Sequence, residues 1–376
     1  MIEKKVRESN FELMRIISML MIIFWHIMVH GDVLDNAQGT LKIVLTFIQA
    51  IIYIHVNSFV LVTGYFQSDS RFKFSKVIQL NNSIWFYKAG IALLLISLGV
   101  ITLEIVPLLK IVSPITHYDY WFMSTYLFLY LLSPILNIVI NNISKNNYKK
   151  MLLLLIILFS ILPFLTNQEI YGYSFTNSIL HFVILYFIGG YFRKYKVDDS
   201  YYLKRFSLET KKLILLLIFF CCAFISFLIT LASNSFIGLG SIANYIGISF
   251  SGMIRIYNNP ILIFQSICYF LFFSLIKIKS KWINIISSTT MGIYLIHDNS
   301  YLRKEIYNFF GFENISYSCT ILIKMFICTI IIFVCCSLIE LIRQKTFKFI
   351  YNRKFSKKIR VGYRNYIKKL GINIRW

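Results

Sequence analysis

The side chains best suited to chemistry in this sequence are an arginine and a histidine on one apolar segment, Asn10 to Gly31. Arg15 and His26 are eleven residues apart. That spacing is about three helical turns, so both leave the helix on nearly the same face, roughly 16 Å apart along its axis. A charged side chain inside a membrane helix is costly and is usually functional. The pair indicates a shared site, unless Arg15 only reaches lipid headgroups and His26 is an interfacial histidine.

Four of the six histidines are predicted at similar depth near the outer membrane face, where a general base is therefore expected. His297 is notable among them because Asp298 and Asn299 follow it. A nearby carboxylate or amide can fix a histidine tautomer, but neighbours on a helix do not face each other, so the partner of His297 can lie elsewhere. An ordinary preference of histidine for membrane interfaces is sufficient to explain His30 and His181, and also His117 in the outer loop before the fourth span.

The composition predicts that these residues belong to a multi-pass membrane protein. The chain is 57% hydrophobic and 17% aromatic, with a mean hydropathy of +0.67. Its repeated apolar runs are long enough to cross a bilayer. We expect an all-α bundle of about ten transmembrane helices, with the first span retained and both termini cytoplasmic. The predicted spans are residues 10–30, 42–66, 84–104, 120–140, 151–166, 177–192, 212–233, 261–277, 283–298 and 318–342.

The basic residues support this topology. The formal charge is +23, and only six of the 39 Lys and Arg residues fall on the predicted outer half. An excess of positive charge on the cytoplasmic side is the usual signal for orientation, so nucleic acid binding is not needed to explain the charge. The six outer residues are Lys42, Lys110, Arg255, Arg303, Lys304 and Lys324.

Two regions are predicted from the charge and hydropathy. Residues 1–342 form the transmembrane domain, and residues 343–376 form a basic amphipathic cytoplasmic tail with twelve Lys and Arg residues. Such a tail is expected to bind anionic lipids rather than nucleic acid. The Gly- and Ser-rich outer loop from Ser233 to Pro260 is predicted as a re-entrant lid or as a simple connection.

Several kinds of site are excluded by pattern. The sequence has no nucleotide-binding loop, zinc signature or serine elbow, and its seven cysteines show no metal-binding spacing. We therefore expect no metal and no bound cofactor. The chemistry is expected from intramembrane His, Arg and hydroxyl groups.

The sequence resembles the membrane acyltransferase family 3 over nearly the whole predicted membrane domain. Five segments in the family order carry the resemblance. They are RIISMLMIIFWH from Arg15 to His26, FVLVTGYF from Phe59 to Phe66 with His55 and Asn57 before it, DYWFMSTYLFLYLLSPILN from Asp119 to Asn137, HFVILYFIGGYFRKY from His181 to Tyr195, and ISSTTMGIYLIHDN from Ile286 to Asn299.

Two positions depart from the family pattern. Thr63 stands where the family usually has Ser, which keeps a hydroxyl. The loop after the second span carries Arg71, Lys73 and Lys76 in place of two arginines spaced three apart. The family's arginine pair would contact the phosphates of the acyl donor, and lysine, a point charge without the planar fork of arginine, does not repeat that two-hydrogen-bond contact.

The resemblance implies a stand-alone membrane O-acyltransferase in the cell membrane, of the bacterial cytoplasmic type. The donor would be cytoplasmic acetyl-CoA or another acyl-CoA, and the acceptor a polysaccharide or lipid-linked sugar of a capsule or exopolysaccharide. The resemblance is also compatible with a homo-oligomer. His26 and His297 would be catalytic, with His26 acting as a base or as a transient acyl carrier. Arg15, Arg71, Lys73 and Lys76 would bind the donor, and a further set would position substrate: His55, Asn57, Thr63, Tyr65, Trp121, Tyr126, Asp298 and Asn299.

Two other kinds of function stay open at this point. A proton-coupled transporter or flippase for a lipid-linked glycan would also use intramembrane His and Arg. A structural component of a glycan-assembly complex would need His26 only for stability. Dependence on an acyl donor distinguishes the enzyme from both.

Overall fold

The computed structural model describes residues 7–100, 119–166, 178–195, 206–233, 257–312 and 320–352. Within these ranges the secondary structure is helical and contains no strand. Six of the helices described are long and apolar enough to cross a membrane. The prediction of an all-α protein with several membrane spans is therefore confirmed.

The described helices are named here in chain order. The first eight are α1 (Ser9–His30), α2 (Val33–Asn36), α3 (Gly39–Ile52), α4 (His55–Gln67), α5 (Phe74–Ser97), α6 (Trp121–Asn142), α7 (Lys145–Ile156) and α8 (Leu162–Thr166). A π-helical turn, Ile157–Ile161, joins α7 to α8. The others are α9 (Ile179–Lys194), α10 (Leu208–Ser233), α11 (Pro260–Ser274), α12 (Lys281–Ser287), α13 (Thr290–His297), α14 (Arg303–Phe309) and α15 (Thr320–Asn352).

Every predicted span overlaps a described helix or pair of helices, but not all of these helices have the length and composition of a span. The six that do are Ser9–His30, Gly39–Gln67, Trp121–Asn142, Lys145–Leu165, Leu208–Ala232 and Thr320–Phe349. Pro260–Ser274 is apolar but shorter. The count of ten and the cytoplasmic termini stay predictions. The last helix continues past the predicted boundary at residue 342 and is described to Asn352, and His117, Lys110 and Arg255 lie outside the described residues.

Small polar residues set the starts of several helices. The Ser144 side chain accepts a hydrogen bond from the backbone N–H of Asn147 at the start of α7. Asn259 does the same for α11, where Pro260 occupies the first helical position. Each cap satisfies a backbone donor that the helix itself leaves without a partner.

Two predicted spans are each interrupted by a pair of non-helical residues. The second span is α3 and α4, which meet at Tyr53 and Ile54. The ninth span is α12 and α13, which meet at Ser288 and Thr289. The second break has its own hydrogen bonds, since the Thr289 hydroxyl contacts the Ile286 carbonyl oxygen at 2.6 Å and the Ser337 hydroxyl at 3.1 Å. It makes α13 a short helix that ends at His297.

The helices α4 and α9 cross at close range. A Cβ added to Gly64 would lie 2.4 Å from the Tyr186 carbonyl oxygen, and one added to Gly189 would lie 2.3 Å from the Leu61 carbonyl oxygen. These two glycines belong to two of the family-like segments, so part of that pattern reflects packing rather than chemistry. Small residues allow backbones to approach closely in a membrane bundle.

Two buried apolar clusters surround α1. One joins the C-terminal half of α1, including Ile23 and Ile27, to α13 and α15. The other joins Phe11 and Met14 to α4, α9 and α11. Because α1 packs on α4, α12, α13 and α15, it is the central helix that positions the site.

Candidate active site

The two histidines predicted to be catalytic contact each other directly. Nδ1 of His26, on α1, lies 3.1 Å from Nε2 of His297, at the end of α13. His297 is fully buried, and its Nδ1 lies 2.6 Å from the carbonyl oxygen of Ile293, one turn earlier. The sequence separated these residues by most of the chain, and the break that shortens α13 brings them together.

This geometry determines which ring nitrogen of each histidine carries a proton. A carbonyl oxygen can only accept, so Nδ1 of neutral His297 is the donor and its Nε2 is the acceptor. Nδ1 of His26 must then donate to His297. Nε2 of His26 is left with a free lone pair, as a general base or nucleophile requires.

A carboxylate and a guanidinium lie beside the two rings. Asp298 Oδ1 is 3.6 Å from His26 Nδ1 and 4.0 Å from His30 Nε2. Arg303 Nη1 lies 3.0 Å from the same carboxylate oxygen and 3.4 Å from His30 Nε2. The carboxylate is placed to stabilise positive charge on His26, and Arg303 holds it in place.

His30 and Arg303 were not predicted as site residues. His30 follows His26 by four positions and so lies on the same helix face, a signal that was available in the sequence. Arg303 comes from α14, and no spacing rule would bring it to α1. His26, His30 and Asp298 place possible ligand atoms within 4.8 Å of one another. Arg303 already supplies a positive charge to two of these three, so the observed arrangement is an ion-pair network rather than a metal-ready set.

A cavity of about 240 Å³ lies beside the part of α1 that precedes His26. Ile22 on α1 and Tyr294 on α13 line it, and each lies about one helical turn before the histidine of its own helix that belongs to the contacting pair. Arg15 lines the other part of the cavity. The cavity thus extends along α1 from the arginine to within one turn of His26.

The side chain of Arg15 is held in place by the carboxylate of Glu12. Its Nη1 lies 3.1 Å from both carboxylate oxygens of Glu12, and the Ser287 hydroxyl donates to the same carboxylate. Because Ser287 is on α12 and His297 on α13, Arg15 and His26 both lie on the side of α1 that faces this helix pair. The predicted shared face is what the structure shows, and Glu12 is a positioning residue that the sequence did not indicate.

Two further cations line the same part of the cavity. Arg7 lies two residues before the start of α1 and donates to the Asn284 carbonyl oxygen at 2.9 Å. Lys76, on α5, lies over the Tyr130 ring at 4.7 Å. Of the predicted donor-binding residues, the structure brings Arg15 and Lys76 into the cavity. Arg71 and Lys73 are exposed and do not line it.

Some of the residues predicted to position substrate line the cavity, and others do not. Thr63 and Tyr126 line the cavity. Tyr65 does not: its ring packs on Phe11 at 4.9 Å and lies under Arg193. Trp121 also lies away from the cavity and stacks on Tyr257 at 5.6 Å, so these two contribute packing.

The amide residues that were predicted to position substrate hold protein segments together. Asn57 donates to the Tyr257 carbonyl oxygen at 3.0 Å and lies 2.8 Å from His181 Nε2. Asn299 donates to the Tyr120 hydroxyl at 2.7 Å, which fixes the turn after His297 to the start of α6. His55 is buried against Tyr53, and neither of its ring nitrogens has a hydrogen-bond partner among the described residues.

Comparison with known proteins adds one result to this geometry. No curated protein and no solved structure matches the chain. The family model described as an acyltransferase domain matches residues 8–340, which include α1, the histidine pair and every cavity-lining residue named above except Arg7. The match covers most of the chain, so the chain belongs to the acyltransferase family 3.

Proposed function

We propose that this protein is a membrane O-acyltransferase that transfers an acyl group, in the simplest case acetyl, from cytoplasmic acyl-CoA to a hydroxyl of a cell-surface or exported polysaccharide or its lipid-linked repeat unit. The observation that carries the proposal is one continuous arrangement. Three cations line one part of a cavity, and a histidine with a free Nε2 lies one turn beyond its other part.

The cationic part of the cavity would hold the phosphates of the donor. Arg7, Arg15 and Lys76 present positive charge there, and arginine can bind phosphate through two parallel hydrogen bonds. The pantetheine arm of coenzyme A is comparable in length with the roughly 16 Å between Arg15 and His26 along α1. A donor bound in this way would place its thioester beside His26.

The apolar middle of the cavity suits the pantetheine arm. Its walls are Met19 and Ile22 on α1, Phe59 on α4, Leu80 on α5 and Phe122 on α6. Such a lining excludes water from the thioester, which limits hydrolysis in favour of transfer to the acceptor. No charged residue lines this middle part among those described.

Transfer then needs one proton acceptor. Nε2 of His26 takes the proton from the acceptor hydroxyl as the hydroxyl oxygen attacks the thioester carbonyl carbon. The C–S bond breaks, and the proton on His26 goes to the departing thiolate, which leaves as the free thiol of coenzyme A. Asp298, 3.6 Å from His26 Nδ1, stabilises the imidazolium between these steps.

The test is donor turnover by the purified protein. Wild-type protein in detergent should release free coenzyme A from acetyl-CoA only when acceptor glycan is added, and His26→Ala should abolish this release while acetyl-CoA still binds. Mass spectrometry of the glycan identifies the acyl group by the mass gained per repeat. Glycan translocation in liposomes without any acyl donor would instead support the transporter, and an active His26→Ala protein would contradict the mechanism.

A further inference from the structure

The histidine pair has a second side, which the cavity proposed for the donor does not reach. Neither His30 nor Arg303 lines that cavity. The ring centroids of His26 and His30 lie 5.1 Å apart, and Arg303 Nη1 lies 3.4 Å from His30 Nε2. These three side chains form a continuous row that leads from the proposed base on α1 to α14.

The side chains become more exposed along this row. The exposed fraction is 5% for Asp298 and 12% for His26, and it rises to 29% for His30 and 35% for Arg303. The row is therefore enclosed at the Asp298 carboxylate and open at the guanidinium. A molecule that approaches His26 from this side meets Arg303 and His30 on its way.

Arg303 has hydrogen-bond donors to spare. Its contacts with Asp298, at 3.0 Å, and with His30 both use Nη1. Its Nη2 and Nε make no hydrogen bond to a described residue, and neither of them is an enclosed atom. The Nε–H and Nη2–H bonds of a guanidinium are parallel donors that fit two oxygens of one carboxylate or phosphate. The open edge of Arg303 thus suits an oxyanion.

The basic residues around α14 favour the same kind of ligand. Lys304 follows Arg303 and is exposed, and Lys324 Nζ lies 3.1 Å from the carbonyl oxygen of Gly311, just past the end of α14. These three cations are half of the six that are predicted on the outer half of the protein, where basic residues are generally rare. One acidic residue of the same helix, Glu305, is also exposed.

We infer that the acceptor carries a carboxylate or phosphate group, which Nε and Nη2 of Arg303 bind while the hydroxyl to be acylated lies at Nε2 of His26. The inference rests on the proposed function and deepens it, because it names an anionic glycan as the class of acceptor. Nη1 of Arg303 stays on Asp298, so the transfer step itself is unchanged. Arg303 and His26 both lie beside the same carboxylate oxygen, so the anionic group and the reacting hydroxyl belong to one sugar residue or to neighbouring ones.

The experiment varies the charge of the acceptor. The surface glycan of the producing strain is stripped of O-acyl groups with mild base and used as such, after reduction of its carboxyl groups to alcohols, and after removal of its phosphates with hydrofluoric acid. Release of coenzyme A from acetyl-CoA by wild-type protein in detergent is measured against the concentration of glycan repeats. We expect the KM for glycan to rise about tenfold or more in the treatment that removes the bound anion, because charge-assisted hydrogen bonds are lost.

The matching variant is Arg303→Lys, which keeps a cation for Asp298 but lacks the parallel donors. We expect a similar rise in the KM for untreated glycan, with kcat, the Kd for acetyl-CoA and the melting temperature unchanged, and little further effect of neutralising the glycan. Lys304→Ala is the control for general charge. It should change this KM much less, because solvent screens an exposed charge.

The possible outcomes separate this inference from the proposed function. Equal KM values for untreated and neutralised glycan, or a glycan with neither group, overturn the inference alone, because glycan-dependent release of coenzyme A would still stand. A loss of kcat at unchanged KM in Arg303→Lys assigns Arg303 only to Asp298 and also overturns it. If that variant does not fold, the comparison of glycans with wild-type protein decides.

Lipid headgroups could offer the same phosphate chemistry, and reconstitution tests them. The KM for glycan should be the same in vesicles of phosphatidylcholine and in vesicles that also contain phosphatidylglycerol. A KM that follows the anionic lipid and not the glycan charge would assign the open edge of Arg303 to headgroups and overturn the inference. Wild-type protein without glycan-dependent turnover would overturn the proposed function itself.

Discussion

At the level of single residues, the two contacting imidazoles have different roles that substitutions can separate. His297 accepts from His26 Nδ1 and thereby leaves Nε2 of His26 free. A glutamine carbonyl oxygen can accept the same hydrogen bond, whereas alanine cannot. We expect His297→Ala to lower kcat by about a hundredfold and His297→Gln to lower it much less, both with an unchanged Kd for acetyl-CoA.

The matching measurement is kcat beside donor affinity on purified variants with equal melting temperatures. Equal losses of kcat in His297→Gln and His297→Ala would contradict the positioning role. They would instead favour direct contact of His297 with substrate.

A second residue-level prediction concerns the cations in the cavity. Arg15→Ala should weaken acetyl-CoA binding by about 1.5 to 3 kcal/mol through the loss of a charge-assisted hydrogen bond, and Arg15→Lys should recover only part of it. Arg7→Ala should act in the same direction because Arg7 lines the same part of the cavity. Lys73→Ala is the matched control, since this cation is exposed and outside the cavity.

Calorimetric titration with acetyl-CoA checks these values. Normal donor affinity in both Arg7→Ala and Arg15→Ala would overturn the phosphate assignment without affecting His26. A loss in Lys73→Ala equal to that in Arg15→Ala would show that only the general positive charge of this face matters.

At the level of helices, the crossing of α4 and α9 should depend on its two glycines. A methyl group at Gly64 or Gly189 would come within 2.4 Å of backbone atoms of the other helix, which must then move apart. Overpacking of this kind typically costs about 1 to 3 kcal/mol, so Gly64→Ala and Gly189→Ala should each lower the melting temperature in detergent.

Gly90 provides the control for this crossing. It is in α5, and a Cβ there would meet no atom within 4 Å. Gly90→Ala should therefore leave the melting temperature unchanged or raise it, because alanine is the better helix former by about 0.5 to 1 kcal/mol. A stable Gly64→Ala protein would show that the two helices can separate without loss.

The sequence predicted the elements of the site better than their contacts. The spacing of Arg15 and His26 follows from the helical repeat alone, so their common face could be derived without a structure. The division of the ninth span at Ser288 and Thr289 carries no Gly or Pro signal, and yet it determines where His297 ends up. Contacts between distant parts of the chain, such as Arg303 with His30, follow from tertiary packing and have no local pattern.

Another such contact supports the turn that carries Asp298. Lys88 is completely buried on α5, with its Nζ 2.9 Å from Asp119 and 2.5 Å from the Ser300 hydroxyl. From hydropathy alone, Lys88 would be taken as a charged residue that interrupts a transmembrane span. In the structure it joins α5, the start of α6 and the turn after His297, so a charged residue within an apolar run here serves the site indirectly.

For the molecule as a whole, the basic tail should matter more for membrane anchoring than for turnover. A truncation after Asn352 removes most of its positive charge, which is expected to act on anionic headgroups at about 1 kcal/mol per basic residue. We expect lower abundance in the membrane and unchanged kcat per folded molecule. Complete loss of turnover in well-folded truncated protein would contradict this.

The orientation of the whole bundle decides which side supplies the donor. If Arg7, Arg15 and Lys76 face the cytoplasm, as the distribution of basic residues predicts, the exposed residues Lys73 and Lys150 lie on that side and Asp35 on the other. Single cysteines at these three positions, in a background without the seven native cysteines, can be labelled from either side with a membrane-impermeant maleimide. In intact cells we expect only the cysteine at Asp35 to react, and in inverted vesicles only those at Lys73 and Lys150. Labelling of the Lys73 cysteine in intact cells would place the cationic part of the cavity outside, where acyl-CoA is absent, and would reject a cytoplasmic donor.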